Sequence, residues 1–222
     1  MAAGRSTGMN FFAYLQSRWL HLLELAIDHV VVVGISVLIA TVVGVALGVG
    51  TYRTGPPRQI VLAVTSVFLT IPSLALFGIF IGVLGLGATP VVVALVMYAL
   101  LPIVANTIVG LRGVDPAVVE SAQGMGMGRA LRLLRIELPL AWPVILTGMR
   151  VSTLITVGIA AIGAYISGPG LGNDIFTGLA RIGSPVAINL VLGGILGVII
   201  LAILFDMLYV LINRLTTSRG IR

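Results

Sequence analysis

The amino-acid sequence predicts an all-α polytopic membrane protein, with about five transmembrane helices behind an N-terminal interfacial helix. Three observations predict it. The 222 residues are 59% hydrophobic and only 9% charged, with a mean hydropathy of +1.17, whereas a soluble domain carries about a quarter charged residues. So few charges cannot cover the surface with solvated groups, so most of it must face lipid or other protein. The apolar residues gather in runs near the ~20 residues that cross a bilayer as a helix, and the basic residues, all arginine, fall mostly between those runs.

The elements follow in order. Residues 9–28 contain Arg18, His21, Glu24 and Asp28, which break up any uncharged core and argue against a signal peptide. Phe12, Leu15, Trp19, Leu22, Leu23 and Ala26 recur at helical spacing, opposite Ser17, His21, Glu24 and Asp28. Segment 1–28 therefore reads as an interfacial helix or as a tilted extension of the first span. Spans are expected at 29–50, 59–84, 88–110, 142–166 and 187–212. They make a transmembrane domain of 29–213 with a tail at 214–222, and a sixth span only if the N-terminal segment also crosses. Pro72, inside the second run, removes a backbone hydrogen bond and kinks the helix, shaping either the path through the membrane or simply the packing.

Arginine counting gives direction. Arg53, Arg58, Arg112, Arg129, Arg132, Arg135, Arg214, Arg219 and Arg222 fall on one side, against Arg5, Arg18 and Arg181 on the other. Basic residues mark the cytoplasmic side, so the N-terminus is expected outside and the C-terminus in the cytoplasm. The net charge of +6 is thereby a topology signal and not a nucleic-acid footprint.

Several chemistries are excluded. Cysteine is absent, which removes disulfides, thiolate metal sites and cysteine nucleophiles. The two histidines, His21 and His29, lie near the outer end of the first expected span, and neither a His–carboxylate ligand set for a metal nor an intramembrane Ser–His arrangement is expected. A phosphate-binding Gly-x-x-x-x-Gly-Lys loop needs a lysine that the chain lacks. No catalytic, cofactor-binding or metal-binding residue is expected, and any ATP must be hydrolysed by another chain.

Two ionisable residues lie well inside spans, Arg150 in the fourth and Asp206 in the fifth. Intramembrane charges are expensive and find partners. Their matched depth and opposite sign suggest a pair, the alternative being an arginine that snorkels to the headgroups. Asn106 and Thr107, near the end of the third span, read as interhelical hydrogen-bonding groups.

The long connection at 114–139 is rich in helix signals. Asp115–Pro116 reads as an N-cap followed by proline at the first helical position. A short helix through Val118, Glu120 and Ala122 is broken by Gly124, Gly126 and Gly128. A second helix runs to Leu138, with Met127, Ala130, Leu131, Leu134 and Leu138 on one face, Arg129, Arg132 and Arg135 on another, and Pro139 as its stop. Physical chemistry alone allows a compact cytoplasmic knob or an amphipathic loop lying on anionic lipid.

Within that loop, Glu120-Ser121-Ala122, three residues, Gly126, nine residues, Ile136, one residue and Leu138-Pro139 resembles the signature of ABC importer permeases, whose usual form begins Glu-Ala-Ala. The resemblance implies a type I importer permease core, methionine-permease-like. In it, Glu120 to Gly128 dock on a cytoplasmic ATPase subunit that carries ATP and magnesium. Three further stretches resemble the osmoprotectant branch: Thr70–Leu76, Leu101–Thr107 and Gly168–Leu179. That resemblance implies a multi-pass protein of a prokaryotic cell membrane importing glycine betaine, carnitine, choline or proline betaine. Methionine or another small amino-acid-like solute is the alternative cargo. It also implies a second permease subunit and an extracytoplasmic substrate-binding protein, for which 168–185 is either a landing surface or a tightly packed re-entrant segment. A quaternary ammonium is held by aromatic cages. The scattered Phe68, Tyr98 and Tyr165 form no such cage in the sequence, so specificity is assigned to the binding protein.

Overall fold

A computed structural model of the chain describes residues 10–217. Residues 1–9 of the expected N-terminal segment, with Arg5, and 218–222 of the tail, with Arg219 and Arg222, lie outside the described residues. The described chain is helical, with no strand among the described residues. In order the helices are α1 (Phe11–Thr51), α2 (Pro56–Thr70), α3 (Ser73–Leu84), α4 (Ala88–Arg112), α5 (Pro116–Gly124) and α6 (Arg129–Arg132). A π-helical turn (Leu133–Glu137) leads into α7 (Leu138–Gly163), followed by α8 (Gly172–Ala180) and α9 (Ala187–Thr216). Among the described residues, four helical runs are long and apolar enough to cross a membrane, or five if α2 and α3 are one broken span.

α1 is a single helix of 41 residues. At 1.5 Å per residue it is about 60 Å long, twice the ~30 Å hydrocarbon core. No break falls near residue 28, because no proline interrupts the run and single glycines are tolerated in a packed helix. Residues 11–28 thus extend the first span and do not form a separate helix.

Pro72 does more than kink the second run. Ile71 (φ −71°, ψ 127°) and Pro72 (φ −58°, ψ 135°) are both extended, which ends α2 and starts α3 afresh. Carbonyls exposed at such a break need donors at membrane depth. Thr70 Oγ1 donates to the Val67 carbonyl at 2.7 Å and the Tyr98 hydroxyl donates to that of Ile71 at 2.6 Å. Tyr98 is thus occupied as a structural donor.

Pro139, expected to stop a helix, does not. The π-helical turn closes Leu138 N–H onto the Leu133 carbonyl, widening the ladder by one residue just ahead of the proline. This turn relieves the clash a proline ring makes with the preceding turn. Helix therefore runs from Arg129 to Ile166.

The chain packs as two compact units. One comprises the chain through Ile35, Pro72–Leu95 and Thr156–Leu204; the other comprises Ser36–Ile71, Val96–Ile155 and the chain from Phe205. In the first, the expected loop at 168–185 folds inward. Gly168, Gly170, Leu171, Gly172, Asp174 and Gly178 are buried, and only 179–185 is exposed throughout. In the second, Tyr52, Val104, Ile108, Leu111, Ala141 and Ile145 form the core. Small residues let its helices approach closely, as in membrane interfaces generally: a Cβ on Gly148 would lie 2.6 Å from the Pro102 carbonyl. Asn106, expected to bridge helices, instead donates to the Pro102 carbonyl of its own helix at 2.8 Å, and Thr107 to that of Ile103 at 2.7 Å.

Candidate functional site

The segment 114–139 forms a short, doubly capped helix followed by a tight turn. Asp115 accepts the backbone N–H of Ala117 at 2.8 Å, with Pro116 beside it at the helix start. At the other end Gly126 takes φ +81°. Its N–H bonds the Gln123 carbonyl at 2.9 Å and the next N–H, of Met127, reaches back to Ala122 at 3.1 Å. This is a Schellman cap, whose C′ position calls for a left-handed residue. Gly124 and Gly128 play no such part: Gly124 is still helical, and Gly128 has φ −66°. Ala122 is buried under the turn, while Glu120, Ser121 and Met125 are exposed. Ser121 donates to the Ala117 carbonyl at 2.7 Å, so the serine in place of the usual alanine costs the helix no unsatisfied group. Ile136 and Leu138 are half-buried at the root of the segment and Pro139 is exposed beside them.

The expected arginine face is split. Arg129 and Arg135 are exposed, but Arg132 is only 3% exposed, so it is not part of a solvated stripe. Its Nε donates to Glu137 at 2.9 Å. Glu137, 2% exposed, accepts two more hydrogen bonds, both at 2.6 Å, from the Tyr52 hydroxyl and from Arg53 Nη2. Arg53 also lies 5.0 Å over the Tyr52 ring. A buried carboxylate is tolerated when charged and polar donors surround it. Burial, reinforced by the hydrogen bond to Glu137 and its charge, pushes the Tyr52 phenol up to about 12, keeping it a proton donor. The sequence pattern marks Arg53 and Arg132 as topology signals and singles out neither Glu137 nor Tyr52. The available signal was that Glu137 is the one acidic residue between Glu120 and Asp174, among four arginines.

Arg150 and Asp206 are in contact. Arg150 Nη2 donates to Asp206 Oδ2 at 2.7 Å and its Nε to the other carboxylate oxygen, a bidentate geometry that gives orientation as well as attraction. Pro72 lies at the break already described.

A third carboxylate, Asp174 on α8, is buried to 4% exposure. The Tyr14 hydroxyl donates to it at 3.2 Å and His21 Nε2 lies 2.9 Å from its other oxygen, tying α8 to the start of α1. Asn173 beside it donates to the carbonyls of Gly168 and Gly170 at 3.0 and 2.9 Å. Inward packing of 168–178 therefore has a specific hydrogen-bonded cause. Among the described residues, no group of three or more His, Cys, Asp or Glu is arranged to hold a metal ion.

Long apolar helices, with one capped helical knob mounted between two of them, define a multi-pass membrane protein built like a transport permease. The model of the family described as "binding-protein-dependent transport system inner membrane component" matches residues 40–218, and the chain belongs to that family. It is 37% identical over 209 residues to the choline transport system permease protein OpuBB of Bacillus subtilis (strain 168), covering 94% of each chain. It is 36% identical over the same length and coverage to the glycine betaine/carnitine/choline transport system permease protein OpuCB of that organism. Its fold matches a chain of the inward-facing MetNI methionine ABC transporter with a TM-score of 0.80 at 22% identity, covering 91% of this chain and 99% of that one. The fold is that of a type I ABC importer permease. The family and these relatives are permease subunits, and ATP hydrolysis belongs to a separate ATPase subunit.

Proposed function

We propose that this chain is the permease subunit of an importer that carries quaternary-amine osmoprotectants (glycine betaine, carnitine, choline or proline betaine) into a prokaryotic cell. The observation that carries the reading is the capped knob. Asp115 and Gly126 fix both ends of α5, holding Glu120 and Ser121 outward while Ala122 is buried. That leaves the charged residue of the signature available to a groove on the cytoplasmic ATPase. The names of the relatives support the cargo class. Methionine as cargo has support only from a fold match at 22% identity.

On this reading the N-terminus is outside and the tail cytoplasmic, the arginine distribution supporting that orientation. ATP and magnesium bind the partner ATPase and not this chain. A second permease subunit, identical or homologous, completes the pathway. An extracytoplasmic binding protein selects the cargo and docks at 179–185, the exposed part of the Gly-rich segment, where Ile182 is 78% exposed. ATP binding closes the ATPase pair, the docked knobs move together, and the path opens outward; hydrolysis reverses it.

The test is Glu120→Arg in the purified importer with its ATPase and binding protein, using glycine betaine as the probe. Stimulation of ATP hydrolysis by the loaded binding protein should fall at least about tenfold while the subunits still co-purify. Full stimulation in that variant would remove the coupling role.

A further inference from the structure

Nothing in the signature involves α1, which is separated from the knob by α2, α3 and α4 in sequence. The structure nevertheless ties the end of α1 to the root of the knob. α1 ends at Thr51, and the next two residues, Tyr52 and Arg53, both donate to Glu137 at 2.6 Å. Glu137 is the last residue of the π-helical turn, the element that joins α6 to α7. Arg132 of α6 completes the set at 2.9 Å.

We infer that Glu137 is a positioning residue for coupling, one that makes α1 follow the knob during the transport cycle. The inference rests on the proposed docking of the knob. Three physical points carry it. First, the knob has covalent continuity with α4 and α7 only, through 113–115 and through the π-helical turn, so a stroke delivered to it reaches α1 by contact alone. Second, Tyr52 otherwise belongs to an apolar core cluster with Val104, Ile108, Leu111, Ala141 and Ile145. Apolar packing is non-directional and lets helices slide, whereas three charge-assisted hydrogen bonds on one buried carboxylate fix register. Third, a cleft of about 500 Å³ opens between Tyr52–Arg53 and the α5 residues Val119 and Gln123. The side-chain hydrogen bonds that Tyr52 and Arg53 make to this region go to Glu137, at the root of the knob.

The π-helical turn suits this role. Its Leu138–Leu133 bond spans one residue more than an α-turn, and such turns sit at functional positions in helices. Here it sets Glu137 at the junction between the docked element and the span that it drives.

The test separates a coupling post from a purely structural one. Tyr52→Phe/Arg53→Ala removes both donors on the α1 side of the set and leaves the buried Arg132–Glu137 pair in place; Glu137→Gln removes the charge. Each is reconstituted as the full importer in liposomes, with glycine betaine as the probe. The double variant should assemble and keep its basal ATP hydrolysis, while stimulated hydrolysis and uptake fall about tenfold. Because the chain contains no cysteine, a fluorophore pair at Thr54→Cys and at Val118→Cys, on α5 but outside the docking segment, reports the same link without cargo. Its separation should be unchanged by trapping ATP in the otherwise unmodified protein and should change in the double variant. Stimulation within twofold of normal, an unchanged label separation, or equal loss of assembly and basal hydrolysis would each overturn the inference. If Glu120→Arg abolishes stimulation while the double variant does not, the knob docks but α1 is not coupled through Glu137. If Glu120→Arg is harmless, the docking reading itself fails.

Discussion

Arg150 and Asp206, 56 residues apart in sequence, form a bidentate pair between α7 and α9. Their side chains remain 42% and 33% exposed, so the pair is neither a surface bridge nor fully buried. Each single charge reversal, Arg150→Asp or Asp206→Arg, places like charges in contact and should cost about 1–2 kcal/mol, between the surface and buried limits. The double reversal should recover most of that. Thermal unfolding of the detergent-solubilised complex measures both, and a double variant no more stable than either single one would dissociate the pair from stability.

Gly126 is the one glycine of the knob that the backbone demands. Alanine at φ +81° costs about 1–2 kcal/mol in left-handed strain and should loosen the Schellman turn that orients Glu120. Gly124→Ala meets nothing within 4 Å and lies inside α5, where alanine is the better helix former, so it should be neutral or stabilising. Binding-protein-stimulated ATP hydrolysis should separate the two, with Gly126→Ala impaired several-fold and Gly124→Ala unaffected. The reverse order would contradict this account of the turn.

Gly148 is required for a different reason. A Cβ there would lie 2.6 Å from the Pro102 carbonyl oxygen and 2.7 Å from Asn106 Cβ, atoms fixed to the α4 backbone that cannot rotate away. Gly148→Ala should therefore destabilise by about 1–3 kcal/mol, as overpacking does. Gly158→Ala, on the same helix with nothing within 4 Å, should have little effect. Equal unfolding midpoints for the two variants would show that α4 and α7 part more easily than their packing implies.

The amino-acid sequence by itself determined the helical spans, the knob between the third and fourth of them, and Asp115 as the N-cap of its first helix. Hydropathy, capping and glycine turns act over a few to about twenty residues, so their cause lies within the stretch being read. Arg132 shows where this stops. Locally it belongs to the same charged stripe as Arg129 and Arg135, and only the packed structure distinguishes it, because its partner is a carboxylate brought into place by a non-local set. Glu137 finds Tyr52 from 85 residues away, and Asp174 finds Tyr14 from 160. Local pattern did not mark these carboxylates as hubs. Likewise Pro139 reads as a helix stop until a π-helical turn absorbs it, and residue 28 reads as a boundary until one unbroken α1 passes through it. Periodicity and solvation are local quantities, whereas the choice of partner for a buried charge depends on which distant segments the fold brings within hydrogen-bond reach. That choice belongs to the tertiary structure alone.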